Sequence, residues 1–439
     1  MIVLSHFRQP AAASLDNHLE YARRLGYRHT YNDATQITSR VPLCFFYKYE
    51  WLLDTLRRAA ENESVLLLSE DALIIEPLPL ERLIEGRDWL LVRTGGHGLP
   101  QVDMQIWRNT PAGRAALEQI VARARLGGKP LVSEAALFAG LDTLHQLTPV
   151  DGICPVMGAG YNYDPAWSRV PTFSISIDDA PDIPENKGVT PRFRDVLASH
   201  VNRHLASGLP LFDFSMYPAP AVDERSTYGP GPGSRIALTM LYTSNIDMYG
   251  RIAERNLRRY CEAHGYTLYA HRDIPKEIGL NASGNWFKPW LLHAYMQHHE
   301  WVFWVDSDVL VADLDRPLEG LLDGRDWLLA RDIGQWAFNS GVMGFRRTQA
   351  NDAMLRDLMQ EIAGLVDRSS VYASNGDQMY FIEAMRRAGL LEEGTILDTT
   401  VFNTPWMLRR PNSFIVHYYG MWTEIRALLM AHDDALLDW

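Results

Sequence analysis

The sequence has 439 residues, of which 47% are hydrophobic and 22% are charged. This length fits two or three domains, and the composition excludes a disordered, collagen-like or coiled-coil chain. The net charge of −12 disfavours binding to a nucleic acid polymer, although a local basic site could still hold a small phosphorylated ligand.

Cysteine usage and the N-terminus bear on the cellular compartment. Cys44, Cys154 and Cys261 lie far apart, without zinc spacing or a disulfide framework, which is typical of a reduced, cytoplasmic protein. Residues 1–6 have the pattern of a first strand rather than of a leader, and no apolar run reaches the roughly 18 residues that a membrane span needs. We therefore expect a cytoplasmic protein without an integral membrane segment; peripheral attachment to a membrane stays open.

The first half of the chain alternates short apolar strands with helical patterns. Residues 65–68 form a continuous apolar run that ends at Ser69, Glu70 and Asp71. This alternation predicts an α/β domain with a mostly parallel sheet, whose ligands bind beyond the carboxyl ends of the strands. Acidic residues directly after an apolar strand therefore lie where chemistry is expected.

A segment rich in proline and glycine separates the two halves. Its composition between Gly208 and Gly233 is incompatible with a regular helix or a central strand. The sequence therefore predicts a first domain over residues 1–205, a linker over 206–234 and a second domain over 235–439.

The second half places two carboxylates after its most apolar strand. Residues 301–305 precede Asp306 and Asp308, whose spacing puts both side chains on one face. Two convergent carboxylates repel each other unless a cation lies between them, and hard oxygen ligands suit Mn²⁺ or Mg²⁺. An isolated pair of this kind is usually a pair of solvated turn or capping aspartates, but here the neighbouring motifs favour a metal site.

The two halves repeat each other in order. Residues 86–91 are identical to residues 324–329, and residues 198–200 align loosely with residues 415–417. We therefore predict a tandem duplication of one domain.

Five motifs of the second half resemble a known family when they are taken together. They are residues 286–288, the strand before residues 306–308, residues 339–341, residues 377–378 and residues 417–420. Their order is similar to that of glycosyltransferase family 34, which are metal-dependent retaining enzymes of GT-A fold. This family includes plant xyloglucan α-xylosyltransferases and yeast α-galactosyl- and α-1,6-mannosyltransferases. The resemblance covers about 235–425 and implies α/β architecture with two tandem GT-A-like, Rossmann-like domains, the first of them divergent.

The resemblance implies roles for individual residues. Asp306, Asp308 and His417 would bind Mn²⁺, or Mg²⁺, that bridges the diphosphate of the donor. Asp377 and Gln378 would contact the transferred sugar as the catalytic pair. The residues implied in donor binding are Lys288, Asn339, Ser340, Gly341 and Gly420.

Simpler interpretations exist for most of these positions. Lys288 could be a solvated helix lysine rather than a fixed charge beside the phosphates. Gly341 could belong to an ordinary turn rather than allow the backbone to approach a ligand closely. Asp377 could cap a helix over residues 378–386, which is compatible with a role in catalysis. A lone histidine after a strand, such as His417, is usually structural.

The implied function is the retaining transfer of a hexose or pentose from a nucleotide diphosphate sugar, with a UDP-sugar favoured over a GDP-sugar. The acceptor would be a hydroxyl of a glycan, a lipid-linked saccharide or a protein, as in polysaccharide biosynthesis. Since no nucleophile is evident, we expect a front-face mechanism, in which the departing β-phosphate accepts the acceptor's proton. Met421 and Trp422 stand where the family has basic residues, so the phosphate contacts should differ. Trp336, Trp406 and Trp422 could stack on sugar faces.

The first half retains only part of the pattern. The metal aspartates align with Ser69 and Asp71, and residues 101–103 replace residues 339–341. Glu134 and Ala135 align with Asp377 and Gln378, whereas Lys48 and His200 are retained. A decayed, non-catalytic copy is one interpretation. The other is that Glu70 and Asp71 serve a different type of transferase, which would make the chain bifunctional.

Two further classes compete with a transferase. A haloacid-dehalogenase-type phosphohydrolase needs a Gly-Thr-like turn after the acidic pair, where this chain has Val309 and Leu310. A non-catalytic sugar-binding or scaffold protein could be built from two decayed domains, but the completeness of the second half disfavours it.

Overall fold

The computed structural model describes residues 1–37, 41–93, 100–125, 134–138, 147–148, 156–158, 173–178, 189–208, 224–334, 336–368, 376–420 and 423–438. Internal contacts divide the chain into two compact units, Met1–Leu211 and Phe212–Trp439, which we call the first and the second unit. The predicted domain limits stay a prediction. A short strand, Arg225–Tyr228, lies inside the predicted linker and pairs at the edge of the second unit's sheet.

The first unit contains nine described strands and five described helices. The strands are β1 (Ile2–Phe7), β2 (Arg28–Asp33), β3 (Ser64–Leu68), β4 (Ala72–Ile74), β5 (Trp89–Arg93), β6 (Pro100–Arg108), β7 (Leu147–Thr148), β8 (Val156–Gly158) and β9 (Ser174–Asp178). The helices are α1 (Ala12–Leu25), α2 (Val41–Arg58), α3 (Leu80–Leu83), α4 (Pro111–Arg125) and α5 (Val189–Ser207).

The main sheet of the first unit has the strand order β2-β1-β3-β6-β5-β7. Strand β1 pairs in parallel with β2 and β3, whereas β6 is antiparallel to both β3 and β5. Strands β5 and β7 are parallel, so β6 is the reversed strand of this sheet as described. A smaller sheet has the order β4-β9-β8, with β4 antiparallel to β9.

The second unit has a similar inventory of elements. Its strands are β10 (Arg225–Tyr228), β11 (Ile236–Leu241), β12 (Thr267–His271), β13 (Trp301–Val305), β14 (Val309–Val311), β15 (Trp327–Leu329), β16 (Val342–Arg346), β17 (Thr404–Pro405) and β18 (Ile415–His417). Its helices are α6 (Asp247–His264), α7 (Lys288–Met296), α8 (Gln349–Ala363), α9 (Asp377–Arg387), α10 (Thr399–Phe402) and α11 (Thr423–Ala435).

The main sheet of the second unit has the order β10-β12-β11-β13-β16-β15. Strand β11 is parallel to β12 and β13, whereas β16 is antiparallel to β13 and β15, and β10 is antiparallel to β12. A smaller sheet has the order β14-β18-β17, with β14 antiparallel to β18. Both main sheets therefore consist mostly of strands that share one direction, which confirms the predicted α/β class.

The strand that leads to the predicted metal site is fully buried. All five residues of β13 are inaccessible, and Val302 and Trp304 belong to one apolar core with Leu292 of α7 and Leu358 of α8. A strand covered on both faces has a continuous apolar sequence, which is why the run is so clear in the sequence. Because β16 is reversed, the end of β13 lies beside the start of β16.

The described helices were also compared with the length and hydropathy that a membrane span requires. Among them, none is both long and apolar enough to cross a bilayer.

Candidate metal and donor site

The predicted motifs of the second unit meet at the carboxyl end of β13. The peptide N–H of Asp306 donates to the carbonyl oxygen of Gly341 over 2.7 Å, which joins the first acidic residue to the start of β16. The N–H of Tyr418 donates to the carbonyl oxygen of Asp308 over 2.8 Å, which joins the chain after β18. Backbone pairing therefore brings three motifs that are distant in sequence to one point.

Two carboxylates and one imidazole converge there. His417 is the last residue of β18 and pairs with Val309, directly after Asp308. Asp306, Asp308 and His417 each offer a ligand atom, and these atoms lie within 4.8 Å of one another. The distance from His417 Nε2 to Asp308 Oδ1 is 3.0 Å. Within the described residues, this is the one group of three His, Cys, Asp or Glu side chains with such spacing.

A chain of hydrogen bonds determines which nitrogen of His417 can bind a metal. The N–H of Gly341 can only donate, and it donates to Asn339 Oδ1 over 2.9 Å. The same oxygen accepts from Asn403 Nδ2 over 2.9 Å, so Asn403 Oδ1 faces His417 Nδ1 at 3.1 Å. His417 Nδ1 therefore carries a proton, and Nε2, on the side of Asp308, is the nitrogen whose lone pair could bind a metal.

Gly341 is required because His417 fills the space where a side chain would be. A Cβ at this position would lie 2.1 Å from Cε1 and 2.6 Å from Nδ1 of the imidazole. This is a different reason from the predicted close approach of the backbone to a ligand. The glycine makes room for the imidazole of His417.

Lys288 is a buried charge rather than a solvated lysine. Only 1% of its side chain is exposed, and Nζ lies 3.0 Å from Asp306 Oδ1 and 2.9 Å from Asp377 Oδ2. It also donates to the carbonyl oxygen of Ser340 over 3.1 Å. Burial alone would lower its pKa, but the carboxylates of Asp306 and Asp377 outweigh burial and raise the pKa of Lys288 to about 12.

The predicted catalytic pair lies at the start of α9. Asp377 accepts from the Ser340 hydroxyl over 2.9 Å, and Gln378 Oε1 accepts from the Ser340 N–H over 3.0 Å. The helix begins at Asp377 after Gly376, so the prediction that Asp377 is the cap itself is wrong. Its carboxylate instead contacts Lys288, and both residues of the pair fix the loop before Gly341.

Arg426 belongs to the site but has no counterpart in the sequence prediction. It lies in the first turns of α11, and its Nη1 is 3.2 Å from Asp308 Oδ2. Its guanidinium lies over the ring of Tyr249 at 4.8 Å from the ring centroid. Of the positions predicted to carry basic residues in the family, Met421 and Trp422 lie outside the described residues. Arg426, further along the chain, places a positive charge beside Asp308.

The two aspartates have opposite electrostatic environments. Burial raises the pKa of Asp306 above its usual range, because the nearby Lys288 only partly compensates for it. Burial also acts on Asp308, but His417 and Arg426 outweigh it and hold the pKa of that carboxyl below its usual range. A divalent cation would favour the ionised form of both groups.

Two sequence predictions are wrong. Trp406 is only 1% exposed, so it cannot stack on a sugar, whereas Trp336 is partly exposed in the loop before Asn339. His200 lies in helix α5, although His417 lies in a strand, so the alignment of residues 198–200 with residues 415–417 fails. Gly420 follows the site with a positive φ of 73°.

The second unit is thus an α/β domain with an acidic pair after a central strand and a histidine beside that pair. Residues 240–363 match the family model of the galactosyl transferase GMA12/MNN10 family. This match confirms the resemblance of the C-terminal region to glycosyltransferase family 34. The second unit is that of a glycosyltransferase. The matched segment includes Lys288, Asp306 and Asp308 but ends before Asp377 and His417.

Solved structures with a similar fold are glycosyltransferases, at low similarity. A glycosyltransferase involved in the glycosylation of the major capsid of PBCV-1 is 17% identical, with a TM-score of 0.38, over 45% of this chain and 99% of its own. Mouse xyloside xylosyltransferase 1 is 14% identical, with a TM-score of 0.26, over 42% and 97%. The bifunctional glycosyltransferase WbbM is 9% identical, with a TM-score of 0.29, over 96% and 94%. No curated protein sequence matches the chain.

We expect Lys288→Met to destabilise the second unit strongly. The substitution leaves the buried carboxylate of Asp377 and the partly buried carboxylate of Asp306 without their cation, so the free energy of unfolding should fall by about 3–5 kcal/mol. Lys276→Met is the control, because the Lys276 side chain is 73% exposed and its ion pair with Glu224 is a surface pair. Urea unfolding of the two variants should separate them; equal midpoints would contradict the role of Lys288.

Proposed function

We propose that the second unit is a metal-dependent retaining glycosyltransferase that uses Asp306, Asp308 and His417 to hold Mn²⁺ or Mg²⁺. The observation that carries the proposal is the convergence of two carboxylates with an imidazole whose Nε2 faces them. Carboxylate oxygens suit both cations, and the histidine nitrogen makes Mn²⁺ the better fit. A bound cation would neutralise the charge that develops on the leaving diphosphate.

The donor is proposed to be a nucleotide diphosphate sugar with a hexose or pentose, a UDP-sugar in the first instance. Its phosphates would meet the positive charges that the chain itself holds at this point. Lys288 is fixed by Asp306 and Asp377, and Arg426 is fixed by Asp308 and the ring of Tyr249. Cations held in place in advance stabilise developing charge without reorganisation during the reaction.

The surroundings of Asp377 support a front-face mechanism. Its carboxylate is 2.9 Å from Lys288 Nζ and accepts from the Ser340 hydroxyl at 2.9 Å, so it is held within the protein rather than presented as a nucleophile. In the proposed reaction, the bond from the sugar C1 to the diphosphate oxygen breaks while the acceptor oxygen bonds to C1 on the same face. The acceptor's hydroxyl proton passes to the departing phosphate oxygen.

The acceptor is proposed to be a hydroxyl of a glycan, a lipid-linked saccharide or a protein. Trp336 is a partly exposed aromatic residue in the loop that leads to Asn339, so it could stack on a sugar ring. A cytoplasmic location stays a prediction from the cysteine pattern.

The proposal is tested by nucleotide release from a panel of nucleotide sugars, with Mn²⁺ and with a chelator. We expect release with at least one donor, dependent on Mn²⁺ and lost in His417→Ala. The exposed His298 provides the control His298→Ala, which should behave as the wild type. If no donor is turned over or bound in a metal-dependent way, the proposal is wrong.

We expect Arg426→Ala to weaken the Mn²⁺-dependent binding of UDP by about tenfold, because it removes a charge-assisted contact of about 1.5 kcal/mol or more. The UDP affinity of Arg426→Lys should lie between those of the wild type and Arg426→Ala, since lysine keeps the charge but not the planar donor geometry. The matched control is Arg194→Ala in the first unit, where the arginine makes a similar contact with Asp71 at 3.4 Å. Calorimetric titration with UDP measures this; a similar loss in Arg194→Ala would point to a general structural effect.

A further inference from the structure

The two units can be compared by the pairing of their strands rather than by sequence alignment. The orders β2-β1-β3-β6-β5 and β12-β11-β13-β16-β15 have the same parallel and antiparallel pairings. In the smaller sheets, β4 is antiparallel to β9 as β14 is to β18. Positions of the first unit can therefore be matched to the metal site by their place in the pairing.

The backbone at the end of β3 identifies the first matches. The N–H of Ser69 donates to the carbonyl oxygen of Asp103 over 2.8 Å, and the N–H of Asp306 donates to that of Gly341 over 2.7 Å. Ser69 therefore stands in the place of Asp306, and Asp103 stands in the place of Gly341.

The smaller sheet identifies the position of the histidine. Ala72 pairs with Ser176, as Val309 pairs with His417. Ser176, and not His200, therefore stands in the place of the metal-binding histidine. Sequence comparison does not identify Ser176 as the matching position, because serine and histidine are dissimilar residues and the strand around Ser176 is short.

The framework around the site is retained in the first unit. Lys48 Nζ is 2.6 Å from Glu134 and donates to the carbonyl oxygen of Val102 over 3.1 Å, as Lys288 contacts Asp377 and the carbonyl oxygen of Ser340. The ion pair of Arg194 with Asp71 likewise matches that of Arg426 with Asp308. The differences are therefore concentrated in the positions that would bind the metal.

Asp103 occupies the centre of the altered site. Its Oδ1 accepts from the Ser69 hydroxyl over 2.8 Å, and its Oδ2 accepts from Ser176 over 2.7 Å and from Gln101 Nε2 over 2.6 Å. A carboxylate with three such donors is satisfied by the protein itself and needs no cation. Two of the donors stand at positions that are metal ligands in the second unit.

We propose that the first unit contains the equivalent of the metal site, occupied by the carboxylate of Asp103, and that this unit binds no divalent cation. Binding would require residues 69, 103 and 176 to be substituted together. The three positions are coupled because a side chain at position 341 would lie 2.1 Å from the His417 ring. Asp103 fits only with a small residue at position 176, and a histidine there fits only with glycine at position 103. This inference rests in part on the proposed metal site of the second unit.

The experiment counts Mn²⁺ ions bound to the full chain by titration with detection of free Mn²⁺ by electron paramagnetic resonance. The wild type should bind one ion, and Asp308→Asn should bind none. Adding Ser69→Asp, Asp103→Gly and Ser176→His to Asp308→Asn should restore one ion. The inference is overturned if Asp308→Asn still binds an ion that Asp103→Asn removes, or if the folded quadruple variant binds none. A wild type without Mn²⁺ would contradict the proposed function, while the quadruple variant still tests the first unit.

A second measurement does not depend on metal binding. Ser176→His alone should lower the urea midpoint of the first unit, because the ring meets Asp103, and Asp103→Gly should recover much of that loss. A double-mutant cycle on these two changes should therefore show strong coupling. Additive midpoint shifts would overturn the steric part of the inference.

Discussion

We expect Asp308→Asn to lower glycosyl transfer by about 100-fold or more, whereas Asp71→Asn should leave transfer near the wild-type rate. Asp308 Oδ1 faces His417, and the amide of asparagine removes the negative charge with which Asp308 would attract the proposed cation. Asp71 is the matched control because its ion pair with Arg194 resembles the pair of Asp308 with Arg426. Both substitutions therefore have a similar structural cost, and only one removes a proposed metal ligand.

The rates should be measured by initial nucleotide release at saturating donor and Mn²⁺, with urea unfolding of both variants as the check on folding. Equal losses of activity in two folded variants would indicate that both units contribute to transfer. That outcome would support the bifunctional alternative rather than a single working site.

We expect Gly341→Ala to weaken Mn²⁺ binding by about 10- to 100-fold, although the residue provides no ligand atom. The new methyl group would lie 2.1 Å from Cε1 of His417, so the imidazole must leave its place beside Asp308. Gly320→Ala is the control, because a Cβ at Gly320 meets no atom within 4 Å. Binding should be measured by titration with Mn²⁺, independently of turnover.

A second substitution separates this steric effect from a general loss of stability. In Gly341→Ala combined with His417→Ser, the smaller side chain removes the contacts of 2.1 and 2.6 Å with the imidazole, and Asn339 Oδ1, 2.9 Å from the new Cβ, still has to move slightly. Ser176 similarly leaves room for Asp103 in the first unit. The urea midpoint should recover while Mn²⁺ binding stays lost. Continued instability of the double variant would mean that the alanine collides with something other than the histidine.

Part of this site is predictable from sequence because its elements are local and apolar. The run over β13 is buried on both faces, so its composition predicts a central strand, and the acidic pair at its end follows directly. Lys288, Asn339, Ser340 and Gly341 could be identified because they occur in an order that resembles a family. In the structure, position 341 requires glycine for a different reason, because a side chain there would occupy the space of the His417 ring.

The rest depends on contacts between distant parts of the chain. Asn403 fixes the tautomer of His417, and Arg426 reaches Asp308 from a helix turn, but neither belongs to a motif. The alignment of His200 with His417 failed because the identity of a residue alone does not show whether it lies in a helix or in a strand. Ser176 emerges as the matching position only from its pairing with Ala72.

The most direct measurement is an anomalous difference map from a crystal of the full chain grown with Mn²⁺ and UDP. We expect one strong peak between Asp306, Asp308 and His417, with the diphosphate of UDP against it, and no peak beside Asp103. A Mn²⁺ peak that avoids these three residues, or UDP bound away from them, would contradict the proposed site.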